Sequence, residues 1–272
     1  MRKKYILLLT LIGLAALLSG CTEINEPITS ESEGIWNTIF VYPLSWSVIK
    51  LAEILNSYGL SIIIVTIVIR LLLLPLNIKQ LKSTRAMQKV QPQLLELQKK
   101  YSSKDQKTQQ KLQEETMKLM QKHNVNPLAG CLPILVQMPI LIAIYHAIMR
   151  TEEIKTSSFL WFELGAPDPF FILPVLVAAG FYIQQKLMMS ISSSSAAMSG
   201  NSQMQMQMQM QMKMMGIVMP LMLGIMTLFF PAALGLYWLT GSIFMIIQIM
   251  LVNKPMMRQE AEAANNNGGK KK

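Results

Sequence analysis

The residue type best placed to do chemistry in this chain is an arginine. Arg70 lies inside GLSIIIVTIVIRLLLLPLNI, residues 59–78, an apolar run long enough to cross a bilayer. A charge at the centre of a membrane helix costs about 2.5–3.5 kcal/mol on insertion scales, whereas each Leu, Ile or Val returns roughly 0.3–0.6 kcal/mol. Fourteen such residues share the run with Arg70, so the segment inserts with its cation aboard. Thr66, four residues earlier, and Asn77, seven later, fall on the arginine's face at about 100° per residue. No Asp or Glu lies in this run or in any other span proposed below. The cation therefore offers electrostatic capture of an anionic group, and an intramembrane charge of this kind marks a functional site.

Other chemistries find no residues to carry them. HExxH, GxSxG and an intramembrane Asp pair are absent, and His123 and His146 have no evident partners. The chain is read as not an enzyme, with no metal and no cofactor beyond a covalent lipid. Two cysteines, Cys21 and Cys131, are too few for a disulfide framework, and Cys131 reads as a small buried apolar residue.

The elements that position Arg70 follow from composition and loop charge. The 272 residues are 51% hydrophobic and 15% charged, with a mean hydropathy of +0.35. That is the balance of a membrane protein, and it excludes a large soluble core. The net charge of +10 could suggest nucleic acid, but the basic residues collect in short loops between apolar runs, as membrane topology requires, so no specific nucleic-acid partner is expected. Residues 1–20 have a charged start and an apolar run ending LSG-Cys21, which resembles the bacterial lipoprotein signal, with Cys21 as the lipidated N-terminus of the mature chain. Residues 21–34 read as an acidic extracellular linker. Residues 35–57, too polar to span and interrupted by Pro43, read as an interfacial amphipathic helix with Trp36 and Trp46 as anchors.

The spans predicted are 58–79, 128–149, 170–189, 214–231 and 235–252. Between the first two, residues 80–126 form a cytoplasmic helical hairpin, with Ser103 and Gln106 as a capping box at its turn. From Lys79 to Lys122 there are eleven Lys or Arg against four acidic residues, which places this loop inside. Residues 150–169 are an extracellular loop. Residues 190–213, with the QMQMQMQMQM repeat, are a second cytoplasmic loop, and 253–272 a basic cytoplasmic tail. The fold expected is an all-α polytopic membrane protein of five spans, N-terminus out and C-terminus in.

Topology converts sequence distance into depth. Arg70 and Gln137 each lie nine residues from the cytoplasmic end of their spans, roughly 13 Å in at 1.5 Å per residue. Gln184, Gln185 and Gln248 also lie in the inner half. Polar groups on several helices thus outline a pocket wet and positive below and apolar above, open to the cytoplasm.

Five stretches carry a family resemblance: Arg70 with LLLLPL, STRAMQKVQPQLLELQKKY, NPLAGCLPILVQMPILIAIYHAIMR, FLWFELGAPDPFFILP and FPAALGLYW with FMIIQ. Together, over nearly all of residues 36–252, they resemble the YidC/Oxa/Alb family of membrane protein insertases, in its Gram-positive lipoprotein form. The resemblance implies a hydrophilic groove whose arginine is Arg70, with Gln137, Gln184 and Trp238 as groove residues beside Thr66 and Asn77. It implies client membrane proteins as partners, work alone or with the Sec translocon, a ribosome contact through the basic tail, and residence in the bacterial cell membrane among its lipids. The Met-Gln repeat departs from the loop expected for the family. The alternative reading is a small anion transporter or channel with Arg70 as the anion site.

Overall fold

The computed structural model describes residues 26–103, 105–123, 125, 132–192, 210 and 214–256. The leader with Cys21, Cys131, nearly all of the Met-Gln repeat and the basic tail beyond Met256 lie outside the described residues. What is described is mostly helical, with one two-residue hairpin, β1 (Ser158–Phe159) against β2 (Phe162–Glu163). The helices are α1 (Tyr42–Leu55), entered by a π turn at Asn37–Val41, α2 (Tyr58–Lys100), α3 (Gln106–Lys122), α4 (Leu132–Arg150), the single turn α5 (Glu152–Lys155), α6 (Ile172–Ser192), α7 (Met219–Thr227), entered by a π turn at Met214–Val218, and α8 (Ala232–Gln248), continued by a π turn at Ile249–Asn253.

Four helices among the described residues are long and apolar enough to cross a membrane: Asn37–Leu55, Tyr58–Lys100, Ile172–Ser190 and Ala232–Met256; Leu135–Arg150 and Gly216–Thr227 are shorter apolar helices. Many of their large apolar side chains, such as Leu72, Leu135, Val175, Leu221 and Leu251, face outward, the inverse of a water-soluble surface. Two expected boundaries change. Residues 37–55 form a helix long enough to span, and Pro43, just past the π turn at Asn37–Val41, does not interrupt it. The first span and the first arm of the hairpin are one helix of 43 residues, α2, about 65 Å long at 1.5 Å per residue, running through Pro75 and Pro92. That is twice the hydrocarbon thickness, so α2 continues beyond the bilayer.

Contacts divide the chain into two compact units. The first holds residues up to Leu71, Leu135–Gly180 and Leu221–Ser242. Trp36, expected as an interfacial anchor, is buried there with Val41, Ala143 and Ala147, while Trp46 is 51% exposed. The chain reverses from α1 to α2 at Asn56, whose φ of +50° is one that asparagine tolerates, and the Ser57 hydroxyl accepts from Leu60 N at 3.3 Å to cap the next helix. At the far end of α4, the buried Arg150 donates from Nε to the Glu26 carbonyl and from Nη1 to Asn37 Oδ1, both at 2.7 Å, and Ile28 N donates to the Arg150 carbonyl at 3.1 Å. A strap of residues 26–28 is thereby fastened to α4.

The 150–169 loop is compact. Asp168, 2% exposed, accepts from Trp161 Nε1 at 2.9 Å, Phe170 N at 3.0 Å and Leu173 N at 2.6 Å, so one carboxylate caps α6 and fixes the hairpin. The first N–H groups of α8, which have no partner inside their own helix, donate instead to loop carbonyls: Ala232 N to Ala166 and Ala233 N to Leu164. Gly224 lets α7 touch α6, since a Cβ there would stand 2.8 Å from Ala178 Cβ.

The second unit holds Leu72–Ile134, Phe181–Pro220 and the chain from Ile243. Its helical hairpin turns at a cap two residues beyond the expected Ser103 of the Ser103–Gln106 box. Asp105 is the N-cap and accepts from Thr108 N at 2.9 Å, Ser103 donates its hydroxyl to the Asp105 carboxylate, and Gln109 Nε2 donates to the Ser103 carbonyl. His123, which has no evident partner in the sequence, lies 3.0 Å from Gln93 Oε1, tying the two arms together.

Candidate functional site

Arg70 is half-buried in the first unit, on α2. Its guanidinium carbon lies 5.8 Å from the centroid of the Tyr237 ring on α8, within cation–π range. Gly241 follows one helical turn after Tyr237 on the same face, and an added Cβ there would stand 2.6 Å from Arg70 Nη2 and 3.2 Å from Cζ and Nε. The arginine thus rests on an aromatic ring and a patch of bare backbone. Arg70 Nε is buried and makes no hydrogen bond, and no carboxylate pairs with the guanidinium among the described residues. A cation held by a π face and by van der Waals contact keeps hydrogen-bond donors in reserve for an acceptor that arrives.

Gln137, on α4, meets the same ring from its hydroxyl end, donating from Nε2 to Tyr237 Oη at 2.7 Å. Tyr237 is only 1% exposed and joins the two polar residues. It is the residue that sequence reasoning missed, together with Gly241. The available signal was a tyrosine hydroxyl within an apolar run, which needs a partner when buried.

The remaining candidates make other contacts. Thr66 is buried and donates its hydroxyl to the Ile62 carbonyl at 2.6 Å, a bond within its own helix. Trp238 is buried, edge-on to Phe230 at 6.4 Å, which is edge-on to Tyr145 at 5.9 Å, so it belongs to an aromatic stack. Asn77 and Gln184 belong to the second unit, where Asn77 Nδ2 and Gln184 Oε1 are buried and make no hydrogen bond. Both amide atoms of Gln248 and Oδ1 of Asn253 share that condition. An unpaired buried amide costs about 1–3 kcal/mol, so this unit has strong demand for polar company. Cys21 lies outside the described residues. Among the described residues no group of three or more His, Cys, Asp or Glu is placed to hold a metal ion.

The family model described as "60Kd inner membrane protein" matches residues 50–260. The chain is 62% identical over 261 residues to the membrane protein insertase YidC of Oceanobacillus iheyensis, covering 96% of this chain and 100% of that one. It is 51% identical over 273 residues to the membrane protein insertase MisCA of Bacillus subtilis, covering 100% and 99%. A crystal structure of an active YidC insertase with its first transmembrane domain resolved is similar at a TM-score of 0.56 and 26% identity, over 79% of this chain and 46% of that one.

Proposed function

Because this chain belongs to the YidC/Oxa/Alb family of membrane protein insertases, we propose that it receives the transmembrane segments of client proteins at Arg70 and releases them into the bilayer. It is a multi-pass protein of the cell membrane. In the reading proposed, the chain crosses five times, N-terminus out and C-terminus in, anchored by a lipid on Cys21, with 35–57 lying along the outer interface.

The observation that carries this reading is the condition of Arg70: a membrane arginine resting on Tyr237, with no acidic partner among the described residues. A client's short acidic outer tail enters from the cytoplasmic side, and its carboxylate is drawn to the guanidinium. At an effective dielectric near 20 the attraction is about 4 kcal/mol at 4 Å, enough to offset part of the carboxylate's dehydration yet weak enough for release. Gln137 supplies a hydrogen bond to the tail, while the client's apolar helix passes along the outward-facing side chains of α6 and α8 into lipid. Nothing in the step requires a nucleotide. The chain acts alone or with the Sec translocon, and the basic tail meets the ribosome.

The test is insertion of a single-span client with an acidic outer tail in cells depleted of their own insertase. Wild type is compared with Arg70→Lys, Arg70→Ala and Arg70→Glu at matched expression. Lys is expected to support insertion and Ala and Glu to fail, with a neutral tail removing the difference. Equal insertion by all four overturns the reading.

A further inference from the structure

We propose that Gly241 is a positioning residue for the Arg70 cation, and that its lack of a side chain sets how strongly acidic client tails are favoured over neutral ones. This rests on the reading of Arg70 as the client's electrostatic handle. The physical ground is the close approach at α8. An alanine methyl at 241 would stand 2.6 Å from Arg70 Nη2, a separation that real Cβ atoms essentially never keep, and a tight 3.2 Å from both Cζ and Nε. What gives way is decided by stiffness. Gly241 lies in the middle of α8, and its neighbours Thr240 and Ser242 are buried, so the backbone is held. The guanidinium is the far end of a flexible side chain, half-buried and tied by no hydrogen bond at Nε. The arginine therefore moves and the helix stays.

That displacement has a chemical consequence because Tyr237 and Gly241 act on one face of α8 as a two-point seat. The ring attracts the cation and the glycine admits it; filling the glycine pushes the guanidinium off the ring centroid, from which it now stands 5.8 Å. A cation shifted within a low-dielectric interior loses both the π contact and its place opposite an incoming carboxylate. Neutral tails, which do not use the charge, are indifferent to the shift. Gly241 therefore tunes selectivity without touching the client.

The experiment uses the full chain reconstituted in liposomes and two single-span clients that differ only in an outer tail carrying Asp or Asn. Gly241→Ala is expected to lower the ratio of acidic-tail to neutral-tail insertion by about two- to thirtyfold, the range a lost cation–π contact spans. Arg70→Lys carries a slimmer cation without Nη atoms, so Gly241→Ala in the Arg70→Lys background should change the ratio far less. An unchanged ratio in Gly241→Ala, beside a lowered ratio in Arg70→Ala, overturns the role of Gly241 and leaves the reading of Arg70 standing. An unchanged ratio in Arg70→Ala overturns that reading, and this proposal with it. A fall for both clients by the same factor shows a structural role only and overturns the proposal. If Gly241→Ala does not fold, Gly241→Ala with Arg70→Ala is compared with Arg70→Ala by thermal melting in detergent. Recovered stability supports the steric coupling of 241 with 70, and failure to recover overturns it.

Discussion

The side-chain amide of Gln137 donates to the hydroxyl of Tyr237 at 2.7 Å, while the Arg70 guanidinium lies over the face of the same ring. One aromatic side chain thus links a neutral polar residue on α4 to the cation on α2. The link separates two roles that a single substitution would confuse.

Tyr237→Phe keeps the π face under Arg70 and removes the acceptor of Gln137. The half-buried amide then loses that bond, at a cost of about 0.5–1.5 kcal/mol. The expected outcome is a lower melting temperature in detergent with selectivity for acidic tails retained. Tyr237→Leu should lower both. Combining Tyr237→Phe with Gln137→Leu should recover part of the stability, because both polar partners are then gone.

Arg150 fastens residues 26–28 to the end of α4 through bonds to the Glu26 carbonyl and Asn37 Oδ1. Lysine lacks the fork that makes both bonds. Arg150→Lys and Arg150→Ala should each release the strap, the alanine variant destabilising the protein by about 1.5–3 kcal/mol for each charge-assisted hydrogen bond lost. The check is hydrogen exchange at the Ile28 amide, which donates to the Arg150 carbonyl and should exchange faster in both variants.

The turn of the helical hairpin should respond to acid. The Ser103 hydroxyl, and after it the Thr108 backbone amide, hold the Asp105 carboxyl down at about 2. A carboxyl whose value is depressed in the folded state stabilises the fold above its unfolded value of 3.8, and that stabilisation is lost as the pH falls through 3.8 towards 2. Exchange at the Thr108 amide should therefore accelerate over that interval. Asp105→Asn, which caps nearly as well but does not titrate there, should flatten the dependence.

Arg70 was legible in the sequence because a lone charge in an apolar run has no bland explanation, and depth counting from the loop charges brought Gln137 to its level. The residue that joins them was not legible. Tyr237 and Trp238 are neighbours, and consecutive residues on a helix point about 100° apart, so a matching motif cannot tell which of the two faces the arginine. The tryptophan was the more conspicuous choice, yet it turns into the stack with Phe230 and Tyr145. The single helix from Tyr58 to Lys100 was hidden for a different reason. Hydropathy marks where the surroundings change from lipid to water, whereas the backbone hydrogen bonds of α2 are indifferent to that change. At the hairpin turn, Ser103 does take part in the cap, but as the hydroxyl that supports the Asp105 carboxylate rather than as the capping residue itself.

The burial of the indoles gives the molecule an optical use. Of its four tryptophans, Trp36 and Trp238 are packed inside and Trp161 is pinned by its bond to Asp168, while Trp46 stands open on α1. Emission from the first three should report the integrity of the packing, and quenching by lipids brominated at chosen depths should act mainly on Trp46. Unlabelled protein therefore carries its own depth gauge for the segment that precedes the arginine helix.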